Sequence, residues 1–273
     1  MPRREIENCR AIITGASSGI GRALARALAK EHAQLVLVAR RENRLKALAG
    51  ELSTDGAKCE ITVGDITSHE VRQACINQAV QAFGGLDLLV NNAGIGAWGY
   101  FADSDEATLR SVMEVNFFAL TELTRLAIPH LQEAKQPAIV NIGSIIGHHG
   151  LPAMSEYSAS KGAVRGFTES LRAELIDRVH VMLVSPATTA TEFFDARSRN
   201  RASEGAEVKS KGRSRWRAKK PLSAEAVAAA TLAGVRKGRR EVFPGVTPKL
   251  IRLVSRFFPW LVERMVEAGE RKS

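Results

Sequence analysis

Tyr157 and Lys161 stand four residues apart in Glu156-Tyr157-Ser158-Ala159-Ser160-Lys161, and Tyr157 is one of only two tyrosines in the chain. In a helix, positions i and i+4 share a face, so the phenol and the ammonium meet there. An ammonium beside a phenol favours the phenolate and lowers a pKa that is ordinarily about 10. Such a phenol can act as a general acid or base near neutrality. The small residues between the two leave room for a ligand to lie along the helix. Tyr-x-x-x-Lys recurs by chance, so it needs company to mean anything. Thirteen residues upstream, Asn141-Ile142-Gly143-Ser144 ends an apolar run with a hydroxyl that could orient a carbonyl beside Tyr157. Asn116 falls in a long helical pattern, where its side chain could hold a relay water.

A second constellation concerns phosphate. Thr14-Gly15-Ala16-Ser17-Ser18-Gly19-Ile20-Gly21 follows an apolar strand and opens a helix. Glycines there permit a tight turn and close approach of the backbone to a pyrophosphate, which the helix N-terminus attracts. The alternative is a glycine-rich turn with no ligand. At the end of the next strand stands Val38-Ala39-Arg40-Arg41, with no carboxylate to accept bonds from the ribose hydroxyls. Arg40 can clasp a 2′-phosphate through its planar donors, which favours NADP(H) over NAD(H). Otherwise Arg40 and Arg41 are surface charges at a helix start. Asp65 is placed to meet adenine, with Ile66 against its edge. Asn91-Asn92-Ala93-Gly94 offers small residues on which a ribose can lie.

The elements that must position these groups read clearly. Apolar, β-type runs lie at 9–13, 34–39, 58–63, 86–91, 138–142 and 179–185. Helical periodicity falls between them at about 19–31, 41–53, 68–83, 105–133 and 155–176, with Ser68 and Asp103/Ser104 as N-caps. This alternation predicts an α/β fold with a doubly wound parallel sheet, whose carboxyl edge binds ligands. Past Pro186 the rhythm breaks into a basic surface loop at 197–220. A helix at 223–236, a short strand and a helix at 248–269 kinked near Pro259 follow. The expected organisation is a core over 1–196, with 197–273 completing the same domain.

In this order and spacing, Thr14–Gly21, Asn91–Gly94, Asn116, Ser144 and Tyr157-x-x-x-Lys161 resemble the compact single-domain branch of the short-chain dehydrogenase/reductase family. Val184-Ser185-Pro186 and Thr191 resemble its later segment. The resemblance covers about residues 9–195. It implies a Rossmann fold, with Tyr157 as proton donor and Ser144 as carbonyl orienter. Lys161 would hold the nicotinamide ribose, and Asn116 would complete the relay. It implies Gly15, Ser17, Ser18, Gly19, Ile20 and Gly21 around the pyrophosphate. Asp65, Ile66, Asn92, Ala93 and Gly94 would meet adenosine and ribose, and Pro186, Thr189 and Thr191 would border the nicotinamide. Two departures stand out. Ala187 replaces the usual glycine after the proline, and Ser18 stands where many relatives carry a basic residue, so 2′-phosphate binding leans on Arg40. An epimerase or dehydratase of the extended branch shares Tyr-x-x-x-Lys, but the Gly15–Gly19 spacing disfavours it.

Charge divides the chain. Residues 1–196 carry 19 Lys/Arg and 22 Asp/Glu, whereas 197–273 carry 20 and 7. A basic third of this kind suits an acidic membrane, a nucleic acid or an acidic partner, or is simply a solvated loop. Trp216 alone among the cations makes nucleic acid a poor candidate. On a helical wheel Leu250, Ile251, Val254, Phe257, Phe258, Leu261, Val262 and Met265 form one apolar face. It either packs on its own or a second subunit, or lies on anionic lipid. Its place near the substrate entrance predicts an apolar, lipid-like or steroid-like carbonyl substrate. His148 and His149 line that pocket or are plain loop residues; Trp98, Tyr100 and Phe101 wall it or pack in the core. Three widely spaced cysteines make neither a disulfide framework nor a zinc site, and no metal is expected. The N-terminal residues lack the apolar run of a signal peptide. These features predict a cytoplasmic enzyme, peripheral to a membrane at most, and the resemblance implies a homo-oligomer. The rival is a cofactor-binding regulatory or scaffold protein that uses its basic C-terminal region to bind a partner or membrane; the intact catalytic set argues against it.

Overall fold

Short, almost wholly apolar runs such as Gln34-Leu-Val-Leu-Val-Ala39 suit strands covered on both faces. A computed structural model, which describes residues 4–192, 221–245 and 247–270, places them in that setting. Its strands are β1 (Arg10–Thr14), β2 (Gln34–Ala39), β3 (Cys59–Val63), β4 (Leu88–Asn91), β5 (Ala138–Ile142), β6 (His180–Val184) and β7 (Glu241–Val242). Among the described residues they form one parallel sheet in the order β3-β2-β1-β4-β5-β6-β7. The order reverses between β1 and β4, so the crevice for a ligand opens above that pair.

The pleat sends alternate side chains to opposite faces. Ile13, Leu35, Leu37, Val140 and Val184 pack against α1 (Gly19–Ala29), α2 (Glu42–Thr54) and α7 (Ala224–Arg236), through Leu24, Leu28, Leu48, Val227 and Leu232. Ile12, Val36, Val38, Ile139 and Val181 face the other way. They meet α3 (His69–Phe83), α5 (Ala119–Gln132) and α6 (Ser155–Glu174), through Ile76, Leu123, Leu131 and Leu171. Each such side chain, fully buried, contributes roughly 1.5–3 kcal/mol. The helix after residue 220 therefore shares a core with the glycine-loop helix.

Three departures from the sequence reading matter. The helix expected over 105–133 is interrupted: α4 (Glu106–Met113) runs into a π-helical turn at Glu114–Phe118 before α5 begins. Its N-cap is Asp105, which accepts the Thr108 N–H at 2.6 Å, rather than Asp103 or Ser104. The C-terminal helix is two helices, α8 (Thr247–Phe257) and α9 (Pro259–Glu270), divided at the proline. Ser68 caps α3 as expected, and Gly84, in the left-handed region, ends it. The basic loop at 197–220, including Trp216, lies outside the described residues.

Candidate active site

Two turns at the carboxyl edge are built as one unit. Gly15 has φ of +67°, and a Cβ on it would stand 2.8 Å from Asn92 Nδ2 and 3.0 Å from Ala93 Cα. Thr14 Oγ1 accepts the N–H of both Asn92 and Ala93 at 2.9 Å, and Asn92 Nδ2 donates to the Thr14 carbonyl at 2.8 Å. A side chain at Gly21 would lie 2.5 Å from the Gly15 carbonyl. Only glycine lets these two strand ends and the start of α1 close together. Ser18 precedes α1 in extended conformation and makes no side-chain cap. The helix start thus keeps the N–H groups that a phosphate would take.

Beside this unit, α6 begins with the tyrosine–lysine pair. Both are buried, and Lys161 Nζ lies 5.8 Å from the Tyr157 ring centroid. The ammonium donates to the Ile142 carbonyl at the end of β5 at 2.8 Å. Burial pulls its pKa down from 10.5 to about 8. Asn116, fully buried on the π-helical turn, accepts the Ile95 N–H through Oδ1 at 2.8 Å. Its Nδ2 donates to the Ile95 carbonyl and to Ser160 Oγ, both at 2.9 Å. Ser160 in turn donates to the Tyr157 carbonyl at 2.8 Å. Both amide hydrogens of Asn116 are therefore engaged by protein. Asn116 thereby braces the segment after Gly94 against α6.

Ser144 opens a 3₁₀ turn (Ile145–Gly147) and accepts the Ile146 N–H at 3.3 Å. Ile146 packs with Met154 and Tyr157, joined by Trp98 and Leu151, so the serine turn and the tyrosine share one apolar cluster. Gly147 allows this: a Cβ there would meet the Lys161 carbonyl at 2.6 Å. Trp98 belongs to that cluster, whereas Tyr100 and Phe101 are exposed.

At the far end of the crevice the structure differs from the sequence reading. Arg40 is well exposed and reaches Asp65 at 3.6 Å. Arg41, which the sequence left as Arg40's surface neighbour, is the one tied to the glycine loop. Its Nη2 donates to Ser18 Oγ at 2.6 Å and to Ser17 Oγ at 2.9 Å, and its Nη1 pairs with Glu192 at 3.0 Å. Arg44 holds the same carboxylate at 2.7 Å. Ser18, a hydroxyl standing where many relatives carry a basic residue, is the one sequence signal that a cation from elsewhere must serve this loop. Burial would raise the Asp65 carboxyl, but the N–H and hydroxyl of Thr67 together with Arg40 hold it below the ordinary range. Ile66, beside it, is 8% exposed and packs with the Val36–Val38 face of the core.

The later segment crosses over the glycine loop. Pro186 is buried and its carbonyl accepts the Ile145 N–H at 3.0 Å. Thr189 bridges to Leu222. Thr191 packs on the helix start, where a Cβ at Gly19 would meet its Cγ2 at 3.0 Å. Gly19 thus meets Thr191, Pro186 meets the serine turn, and Gly94 lies against Asn116 and Lys161.

The sequence profile of the family described as short chain dehydrogenase matches residues 10–202. An 11-beta-hydroxysteroid dehydrogenase of Pinus massoniana is 38% identical over 188 residues, covering 68% of this chain and 52% of that protein. The chain spans about half the length of that relative. A short chain dehydrogenase/reductase from Burkholderia phymatum, solved in complex with NAD, superposes with a TM-score of 0.84 at 28% identity over 94% of this chain and 96% of that one. A short-chain dehydrogenase from Sphingobium yanoikuyae, solved in complex with NADPH, gives 0.74 at 28% identity over 96% and 95%.

Proposed function

This chain belongs to the short-chain dehydrogenase family, and from that premise we propose that it is an NADP(H)-dependent oxidoreductase. It reduces a carbonyl on an apolar, lipid- or steroid-like substrate, or oxidises the matching alcohol. The observation that carries the reading is Lys161: an ammonium kept buried one turn after Tyr157, facing the phenol, beside a glycine loop. The residues fit a dinucleotide, because side chains at Gly15 and Gly21 would fill the cradle and the α1 N-terminus lacks a side-chain cap.

The nicotinamide supplies a hydride when bound. Tyr157 gives the proton to the carbonyl oxygen, and the Ser144 hydroxyl holds that oxygen in line. Lys161 steadies the phenolate that remains, through charge that burial leaves little screened. Asn116 keeps α6 in place by bracing Ser160. Gly15, Ser17, Ser18, Gly19, Ile20 and Gly21 hold the pyrophosphate; Asp65, Ile66, Asn92, Ala93 and Gly94 hold the adenosine side; Pro186, Thr189 and Thr191 border the nicotinamide. Arg40 is joined by Arg41 in taking the 2′-phosphate, and Ala39 offers no carboxylate to oppose it.

The same reading places the protein in the cytoplasm as a homo-oligomer, on the strength of family membership and of free cysteines. It also has the C-terminal helices rest on anionic membrane. Leu253, Phe257, Phe258 and Trp260 are each at least half exposed, with Arg256 beside Phe257. Among the described residues no helix is long and apolar enough to cross a membrane, so the contact would be superficial. The testing experiment follows NADPH oxidation against aldehydes, ketosteroids, 3-oxoacyl thioesters and quinones. Turnover of the apolar ketones supports the reading; preference for small polar aldehydes removes the substrate claim, and no turnover removes the activity.

A further inference from the structure

His148 ends the 3₁₀ turn that Ser144 opens, and its side chain is 1% exposed. Nε2 stands 3.0 Å from Glu241 Oε1 at the start of β7 and 3.0 Å from Ser185 Oγ. Ser185, fully buried, directs its own hydroxyl toward the same carboxylate at 3.5 Å, and its N–H donates to the Val242 carbonyl at 2.8 Å. The imidazole also meets Phe243, with ring centroids 5.3 Å apart. Nδ1 is buried without a partner. A bare Nδ1 and a carboxylate at Nε2 put the proton on Nε2, as donor. Burial would raise the Glu241 carboxyl, yet His148, Arg252 and Arg165 hold it below the usual glutamate range, so it remains a strong acceptor.

This ring joins three segments that the chemistry needs in register. One carries Ser144. The second is Ser185–Pro186, which borders the nicotinamide. The third is β7, which leads into the C-terminal helices. Beyond the β5–β6 ladder, the first two are joined by main-chain bonds from Gly143 N–H to the Val184 carbonyl at 2.8 Å and from Ile145 N–H to the Pro186 carbonyl at 3.0 Å. Both lie at the base of the turn, and His148 closes its far end.

We propose that His148 is a positioning residue, whose Nε2–H bond to Glu241 beside Ser185 fixes the Ser144 turn against the nicotinamide segment. Its consequence for turnover rests on the reductase reading above; the register itself does not. A displacement of about 1 Å at such a site costs on the order of 100-fold in rate.

His148→Gln places an amide N–H where Nε2 stands, whereas His148→Met fills the space without a donor. H148Q should keep kcat within about threefold of the unmodified enzyme. H148M should lose roughly 10- to 100-fold in kcat while KM for NADPH moves less than about threefold. Glu241→Met removes the same bond from the other side and serves if H148M does not fold; the double variant should fall no further than either single one. Amide hydrogen exchange reads the register without turnover: Gly143 and Ile145 should exchange about tenfold faster in H148M and unchanged in H148Q. Equal kcat in all variants, or equal losses in H148Q and H148M, overturns the proposal. If the unmodified enzyme reduces no carbonyl, the reductase reading fails by itself. Unchanged protection of Gly143 and Ile145 in H148M would then overturn the positioning role independently.

Discussion

Ser160 Oγ lies 2.9 Å from Asn116 Nδ2, and Ser160 sits between Tyr157 and Lys161 on the same helix. The brace runs from the π-helical turn to α6 and so fixes the height at which phenol and ammonium face the crevice. That height is therefore held, through Ser160, by a side chain from another element.

Tyr157→Phe should abolish turnover and spare cofactor binding. The ring keeps its place with Ile146 and Met154, and only the proton donor is lost. General acid catalysis is worth about 10²–10⁴ in rate, so kcat should fall by at least two orders of magnitude. The dissociation constant for NADPH, read by its fluorescence, should stay within about threefold. A variant with most of its activity left would end the assignment.

Cofactor choice should depend on both arginines at the end of β2. A charge-assisted bond contributes roughly 1.5–3 kcal/mol, so Arg40→Asp and Arg41→Ala should each lower kcat/KM for NADPH by about 10- to 100-fold. The value for NADH should change little. Equal use of NADH and NADPH by the unmodified enzyme is the result that refutes this. The Arg41 variant also tests whether Ser17 and Ser18 stay ordered without its guanidinium.

Lys161 should leave a signature in the pH dependence of stability without cofactor. Its pKa is about 8 in the fold and about 10.4 in an unfolded chain. Below pH 8 both states carry the charge, and the cost of burying it, about 3 kcal/mol, is present in full. Between pH 8 and 10 the unfolded chain binds the proton more than the folded one does, so this site adds stability as pH rises. The cysteines act oppositely above about pH 9, because burial holds Cys9 and Cys75 at about 12 and Cys59 at about 11. The comparison with Lys161→Met cancels them. The stability of the unmodified protein relative to that variant should climb between pH 8 and 10 in denaturant titrations. A flat difference contradicts the buried ammonium.

The C-terminal helices should bring the protein to anionic vesicles. Co-sedimentation with phosphatidylserine vesicles is expected at low salt and its loss at high salt, since screening weakens the cationic attraction. Replacing Phe257 and Trp260 with glutamate should abolish binding and leave NADPH turnover unchanged. Failure to sediment at low salt assigns the exposed face to protein packing instead.

The fold was legible because each strand is a short apolar run with glycine, asparagine or serine punctuation, and because Ser68 and Pro259 act locally as cap and breaker. The nearness of Tyr157 and Lys161 and the place of Ser144 were legible for a related reason: one helical turn links the first two, and a strand end presents the third. The π-turn was not, since Glu114–Phe118 keeps the composition of the helices around it. Choosing between Arg40 and Arg41 needed the three-dimensional position of two serines in another loop. The partner of His148 is a glutamate far downstream, and nothing in His148-His149 points to it.

A π-turn is an α-helix carrying one residue too many. Removing any one of the five residues from 114 to 118 would return α4 and α5 to a single regular helix and complete its ladder of backbone bonds. It would also swing whatever stood at the Asn116 position about a quarter-turn around the axis, away from Ile95 and Ser160. The lesion that best repairs the helix is thus the one that unhooks α6 from its brace. At this point in the chain a regular helix and a braced α6 require different lengths of the segment, and the chain has the length that braces α6.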